Sequence, residues 1–313
     1  MTIVQPTQGA YKSAVKKLRD GGVVSFSTET VYGLGCDTFN KEAIAKIYKL
    51  KNRPKNNPMI AHIADVSWVD KLCSGWSTKC DQLAEHFWPG PLTIVLPKKE
   101  VVPESACGGF ETIAIRLPAH PVARELLAQF NGPISAPSAN KSGHISPTTA
   151  QHVEEDFGGS VLVIDGGPCE TGIESTVISM VDRPEVLRLG SITVEELSRA
   201  IGRACSNNAT SQSNSPGTTM RHYAPNTPTA MLDKELVEAV NNCDCVVLSI
   251  HATPEATKKT IQMPPTPKNY AKKLYASLRE ADSIGAKKII IESPGKLTGW
   301  QAVNDRLCRC CSA

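Results

Sequence analysis

The sequence contains no H-E-x-x-H, no G-x-S-x-G, no Walker lysine motif and no phosphate-binding G-x-G-x-x-G, and its seven histidines show no metal-ligand spacing. These absences remove zinc hydrolysis, the serine-hydrolase elbow and the two commonest phosphate cradles from the reading. No apolar run reaches the roughly 20 residues of a membrane helix, so the chain is expected neither to span a bilayer nor to be anchored in one. No secretory apolar segment stands in the opening "MTIVQPTQGAYKSAVKK". The eleven cysteines are scattered and odd in number, which fits reduced thiols in the cytoplasm better than a disulfide framework. Cys308 and Cys311 have C-x-x-C spacing without a second pair, so they read as a frayed chain end rather than a metal site. An excess of one charge is also missing. The balance of 34 basic against 31 acidic residues, net +3, is too mild to announce a nucleic-acid binder, although local basic patches stay open.

What is present is an ordinary globular composition, 41% apolar and 21% charged over 313 residues, long enough for two domains. "AYKSAVKKLRDGG" places Ala10, Ala14, Val15 and Leu18 at helical spacing before a Gly-Gly stop. "VVSF" follows as a strand, and "NKEAIAKIYKLK" predicts a helix capped by Asn40 with Ile44, Ile47 and Tyr48 on one face. Short β-branched runs such as "PMIAHIA", "LTIVLP", "TIAIRLP", "PISAPSA", "VLVIDGG" and "STVISM" alternate with helical stretches around Cys80–Phe87, Val122–Phe130 and Thr148–Phe157. This order predicts an α/β domain built on a mixed sheet over residues 1–202. The Ser, Asn and Thr-rich stretch that follows reads as a linker over 203–226. Residues 227–313 then resume the alternation with "DCVVLSI", a long helix from Pro267, "KKIIIESP" and a last helix in "WQAVNDRLCRC", which predicts a small open sheet of parallel type.

Polar groups gather where strands end. "FSTETVYGLG" sets Ser27, Thr28, Glu29 and Thr30 after a buried strand, either as a ligand wall or as a solvated turn, with Gly33 and Gly35 expected to let the backbone pass close to a ligand. In "YKLKNRPKNNPM" the helix must stop before Pro54, so Lys49, Lys51, Arg53 and Lys55 crowd its end. They either complement the helix dipole or clamp a triphosphate, Arg53 as a planar fork and Lys51 as a point charge. "PISAPSANKSGHISPTT" places Ser138, Asn140 and Ser146 in a polar loop, with Ser146-Pro147 expected to cap and start a helix whose N-terminus attracts anions. "GIESTVISM" adds Ser175 and Thr176 at a strand entry. Arg116 and Arg188 sit in apolar runs, where each guanidinium needs either an internal salt bridge or an anionic ligand. His62, on a strand, reads from its surroundings as a satisfied core histidine. Hydroxyls, amides and cations without an obvious nucleophile suit the positioning of an anionic nucleotide.

Taken together, "FSTETVYGLG", "KLKNRPKNNPM", "HFWPGPLTIVLP", "IAIRLPAHP", "SAPSANKSGHISPTT" and "DGGPCETGIESTV" resemble the YrdC-like family of threonylcarbamoyl-AMP synthases, and "PGTTMRHYAP" before a small domain resembles its long two-domain form. The resemblance implies a YrdC-like twisted mixed sheet with flanking helices and a small Rossmann-like C-terminal domain. It implies a nucleotidyltransferase that joins L-threonine with bicarbonate or CO2 as a carbamate, whose carboxylate attacks the α-phosphorus of ATP and expels pyrophosphate. A tRNA threonylcarbamoyl transferase complex would then pass the group to the adenosine beside the anticodon. By motif, Lys51 and Arg53 would hold the phosphates; Ser138, Asn140, Ser146, Arg188, His222 and Tyr223 the nucleotide; and Thr28, His62, Arg116 and Thr176 the threonine. Mg2+ would accompany ATP through phosphates and waters.

Two positions leave the family's pattern. Ser27 stands where the family usually has proline, and Thr218, Thr219 and Met220 replace the usual Met-Lys-Tyr before Arg221, His222 and Tyr223 in a lid-like segment. Two rival classes remain: a double-stranded RNA-binding module, disfavoured by the weak charge, and a carbamoyl-transfer module, disfavoured because no zinc-finger or acylphosphatase segment is visible.

Overall fold

The computed structural model describes residues 2–207, 222–240, 243–251, 254, 257–295, 297 and 299–311. The linker departures at Thr218, Thr219 and Met220, with Arg221, lie outside the described residues. The chain forms two units, one of Met1–Ser142, Pro147–Glu170 and Glu174–Thr218, the other of Gly143–Ser146, Thr171–Ile173 and Thr219–Ala313.

The expected helices of the larger unit form for the expected reasons. Gln8–Arg19 starts at Thr7, whose hydroxyl accepts the Ala10 N–H at 3.2 Å, buries Tyr11, Ala14, Val15 and Leu18, and stops at Gly21 with φ +71°. Lys41–Lys51 is capped by Asn40, whose Oδ1 accepts from Glu42 and Ala43 at 3.0 Å, and ends at Asn52 in the left-handed region. Thr78–Phe87, Pro121–Phe130 and Ala150–Phe157 complete the predicted set.

These helices cover a mixed sheet whose spatial order is Ile3–Val4, Leu162–Ile164, Val24–Phe26, Gly33–Asp37, Ile134–Ala136, Ile60–His62, Thr112–Arg116, Leu92–Pro97, Thr176–Ser179, Glu185–Arg188 and Ser206–Asn207. One face packs Tyr11, Ala14, Leu18, Phe26, Leu126 and Ile164. The other carries the larger core of Leu34, Ile44, Ile47, Ile63, Leu83 and Ile94. Gly33–Asp37, which holds the two glycines expected to pass close to a ligand, is a strand paired antiparallel with Val24–Phe26.

In the smaller unit, Thr229–Leu232, Lys288–Glu292, Cys243–Ser249 and Thr257–Gln262 lie side by side, every neighbouring pair parallel, as the Rossmann-like expectation requires. The helix Pro267–Ser283 buries Tyr270, Ala271, Leu274, Tyr275 and Leu278. Gln301–Cys311 is helical through the C-x-x-C pair rather than frayed, because Leu307 and Cys310 are buried along it. No helix of the described residues is long and apolar enough to cross a membrane.

Candidate functional site

The hairpin that opens "FSTETVYGLG" is built around one hydroxyl. Thr28 Oγ1 donates to the Val31 carbonyl at 2.6 Å and accepts the Thr30 and Val31 N–H groups at 3.2 Å. The polar run is thus a buried turn held by its own first threonine. Gly33 and Gly35 answer to packing rather than to a ligand. A Cβ on Gly35 would fall 2.6 Å from Ile134 Cγ2 and 2.7 Å from Phe26 Cε1, and one on Gly33 would fall 3.3 Å from Ala136 Cβ. The expectation of a ligand against these glycines is corrected: the Phe26 ring occupies that space.

Arg116 and His62 are opposite one another on paired parallel strands. Arg116 Nη2 meets Glu29 Oε1 at 2.7 Å, Nη1 donates to Thr30 Oγ1 at 2.9 Å, and Nε donates to the Gly90 carbonyl at 3.2 Å. Three of its five N–H directions are used in this way. Glu29 Oε2 also accepts the Ala119 N–H at 3.1 Å. Burial alone would raise the pKa of Glu29, but the charge and hydrogen bond of Arg116, with the backbone donors, outweigh it and hold the carboxyl below its usual value. The salt-bridge reading of Arg116 is therefore realised within the fold. Glu29 was not anticipated as its partner, and the signal available was an acid amid a strand end that is otherwise buried. His62 is buried, its Nδ1 lies 3.1 Å from the Ile60 carbonyl, and burial with the nearby Arg116 charge pulls its pKa down to about 3.

The cations of "KLKNRP" do not sit on a solvated face. Lys51 is buried and its ammonium donates to the Ser138 carbonyl at 2.7 Å and to the Asn140 carbonyl. Its pKa is pushed well below the usual lysine value, first by burial and then by Arg53, with Lys141 adding to the effect. Arg53 donates to Asn57 Oδ1 at 2.6 Å and to the Pro58 carbonyl at 2.8 Å. Ser138 Oγ donates to Asn140 Oδ1 at 2.5 Å, and Ser142 N–H returns to the Lys51 carbonyl at 2.9 Å. Lys51, Arg53, Ser138 and Asn140 therefore come together in the larger unit.

Ser146 does not cap a helix. The Pro147 carbonyl accepts the Tyr32 N–H at 2.9 Å, and the helix begins only after Thr149, whose Oγ1 accepts the His152 N–H at 3.3 Å. Ser146 is buried and belongs to the smaller unit, so the anion site expected at its helix N-terminus is not formed there.

On the neighbouring strand, Thr176 Oγ1 donates to the Ile192 carbonyl at 2.7 Å and accepts the Ile192 N–H at 3.2 Å. Arg188 donates from Nε to the Ser175 carbonyl and from Nη2 to Ser175 Oγ, both at 3.0 Å. His222 and Tyr223 are buried in the smaller unit, their rings 4.1 Å apart. Tyr223 has φ +60°, stacks on Tyr275 at 5.6 Å, and lies under Arg306 at 5.1 Å.

Ser27, where the resemblance led to an expectation of proline, is buried, with Oγ 3.3 Å from His120 Nδ1. The same Nδ1 accepts the Val122 N–H at 3.2 Å and so caps the helix Pro121–Phe130. A cavity of about 570 Å³ opens beside it, lined by Glu29, His120, Asp165, Gly166 and Glu170 among others. No group of three or more His, Cys, Asp or Glu side chains suited to a metal ion occurs among the described residues.

Comparison with known proteins covers almost the whole chain. The Sua5/YciO/YrdC family model, described as telomere recombination, matches residues 16–190. The model for the threonylcarbamoyl-AMP synthase C-terminal domain matches residues 192–312. The threonylcarbamoyl-AMP synthase of Pyrococcus abyssi is 37% identical over 307 residues, covering 93% of this chain and 90% of that relative. The Bacillus subtilis synthase is 44% identical over 227 residues, 70% of this chain and 66% of its own length. Among solved structures, Pyrococcus abyssi Sua5 complexed with L-threonine superposes with a TM-score of 0.91 at 34% identity, covering 99% of this chain and 98% of that one.

Proposed function

The chain belongs to the threonylcarbamoyl-AMP synthase family, and we propose that the groups gathered on the larger unit's sheet carry out that family's reaction, with L-threonine, bicarbonate or CO2 and ATP as substrates and threonylcarbamoyl-AMP and pyrophosphate as products. The observation that carries this assignment to particular residues is Lys51. Its ammonium is buried against two carbonyls, and its pKa is lowered first by that burial and then by the nearby charge of Arg53, with Lys141 adding to the effect. A polyanion relieves that repulsion, and a triphosphate brings the required charge.

In this reading Lys51 and Arg53 take the β- and γ-phosphates, where they stabilise the charge that accumulates as pyrophosphate departs. Ser138, Asn140 and Arg188 face the nucleotide. Arg116 keeps two N–H directions beyond its bonds to Glu29, Thr30 and Gly90, and these suit the threonine carboxylate. Thr28, His62 and Thr176 shape the threonine side, His62 as a neutral imidazole because burial and Arg116 keep it unprotonated. Mg2+ would arrive on the phosphates with its waters, since the cations and carbonyls around Lys51 offer it no carboxylate ligand, and it would neutralise phosphate charge. The product is expected to pass, in the cytoplasm, to a transferase that modifies the adenosine beside the anticodon of tRNA.

Pyrophosphate release from ATP tests the assignment. Release that requires L-threonine and bicarbonate together is expected. Release indifferent to threonine refutes the reading.

A further inference from the structure

Two chain segments of the larger unit meet beside the Arg116–Glu29 pair. One runs from Ser27 to Thr30, after the strand Val24–Phe26; the other runs from Arg116 to Val122, between the strand Thr112–Arg116 and the helix Pro121–Phe130. Glu29 joins them once, its Oε1 meeting Arg116 Nη2 at 2.7 Å and its Oε2 accepting the Ala119 N–H at 3.1 Å. His120 joins them a second time. Its Nδ1 accepts the Val122 N–H at 3.2 Å and lies 3.3 Å from Ser27 Oγ. A ring nitrogen that accepts a backbone N–H carries no proton, so the Ser27 hydroxyl is the donor and the imidazole is neutral, with its proton on Nε2. Gly166 closes on the same ring from a third segment, where a Cβ would fall 2.5 Å from Cε1.

The segment after Arg116 is stiff. Pro118 and Pro121 fix φ at two of its positions, and the Leu117 carbonyl accepts the Gly90 N–H at 2.8 Å. A displacement of His120 is therefore passed to Ala119 rather than absorbed, and Ala119 is one of the donors that set Glu29. Protonation of the ring forces such a displacement. A proton on Nδ1 would face the Val122 N–H, donor against donor, and would put a positive charge at the positive end of a helix. Burial opposes the charged ring too, and holds its pKa below the ordinary 6.5 against Glu29, the Gly166 backbone and Glu170, which raise it. Those two carboxylates and Asp165 are the charged groups lining the cavity beside the ring, which gives a proton its way in.

We propose that His120 is a positioning residue for threonine. As a neutral imidazole held between Ser27 and the Val122 N–H, it fixes the segment through which Ala119 and Glu29 aim the Arg116 guanidinium, and protonation of the ring releases that hold. The proposal rests on the functional reading above, in which Arg116 receives the threonine carboxylate. Misaimed Arg116 weakens threonine binding before it changes the chemical step, so the signature is in the KM for threonine and its acid limb.

The full-length chain is assayed for threonine-dependent pyrophosphate release at saturating bicarbonate, from pH 8 down to the onset of acid unfolding, with ATP and threonine varied in turn. In the unaltered chain the KM for threonine is expected to rise about tenfold as pH falls below 6.5, the scale of one lost hydrogen bond between charged groups. His120→Ala is expected to show the raised KM for threonine already at pH 8, with kcat within about twofold and the KM for ATP unchanged. His120→Asn places an amide oxygen where Nδ1 stands, keeps the helix cap and takes up no proton, so its KM for threonine is expected to stay low across the range. The same acid rise in His120→Asn overturns the proposal, as does a KM for threonine in His120→Ala that matches the unaltered chain at pH 8. Equal rises in both KM values, or a fall in kcat alone, also overturn it, since they signal only less folded enzyme. Release indifferent to threonine ends the functional reading and this one together, whereas threonine-dependent release that is alike in all three proteins removes the role of His120 alone.

Discussion

Replacing Arg116 with methionine removes the cation from a pair that is almost wholly enclosed, the side chains of Arg116 and Glu29 being 4% and 9% exposed at a separation of 2.7 Å. The size of a methionine fills much of the guanidinium stem's volume, so the cost is mainly electrostatic: a carboxylate left buried with backbone donors, Ala119 N–H among them, but no cation. Breaking such a pair from one side costs about 3–5 kcal/mol. The sign of the pH dependence distinguishes this account from lost packing. In the unaltered chain Glu29 is held below its ordinary value of 4.5, so its contribution is fully present above that value and is lost as pH falls through the lower folded pKa. Without Arg116, burial dominates and raises the carboxyl's pKa, so the variant loses stability as pH rises above the ordinary value. The gap between the two proteins should therefore widen from about pH 4 to about pH 7. Urea unfolding followed by tryptophan fluorescence reads this, since Trp68, Trp76 and Trp88 all lie in the larger unit. Adding Glu29→Gln to Arg116→Met should recover about 2 kcal/mol or more, so the coupling energy exceeds that recovery by whatever Glu29→Gln costs on its own. Equal gaps at both pH values, together with additive single-site costs, refute the reasoning.

Three further outcomes are expected. Arg53→Ala should weaken ATP use by about 1.5–3 kcal/mol, measured as kcat/KM for ATP, whereas unchanged kinetics remove Arg53 from the site. His62→Gln should flatten the acid limb of stability: the native imidazole titrates near 3 against an ordinary 6.5, so the unaltered chain loses up to about 1.4 kcal/mol per pH unit as pH falls between those values; an identical acid limb in the variant excludes a buried neutral His62. Gly35→Val should destabilise the larger unit by about 1–3 kcal/mol, because its Cβ meets Phe26 and Ile134 within 2.7 Å; a neutral urea midpoint refutes the packing role.

The secondary structure was legible wherever periodicity and caps agreed. Asn40 and the Gly-Gly stop marked helix ends that the backbone uses, and the "IIIE" and "VVLS" runs gave central strands of the parallel sheet. The failures have a common cause, that local pattern does not report which side chain arrives from elsewhere. Glycines at 33 and 35 looked like ligand clearance because nothing local says that Phe26 folds over them. Ser146-Pro147 looked like a helix start because the Tyr32 N–H that takes the Pro147 carbonyl is more than a hundred residues away in sequence. Lys51 and Arg53 were singled out correctly as unusual cations, yet their burial against Ser138, Asn140, Asn57 and Pro58 depends on long-range packing that composition cannot show. The strand Thr257–Gln262 escaped notice because its "TKKTIQ" sequence carries the lysines of a sheet edge rather than an apolar run.

Ser27 and His120 close a space that belongs to a third residue. A Cβ on Gly166 would lie 1.9 Å from Ser27 Oγ and 2.5 Å from His120 Cε1. Any side chain at 166 therefore requires the Ser27 hydroxyl to turn away and the His120 ring to shift. The three positions are coupled in packing: in a sequence library built on this chain, changes at 166 are expected together with changes at 27 or 120. A proline at 27 removes the hydroxyl that faces His120 Nδ1, and the helix cap at Val122 then depends on the imidazole alone.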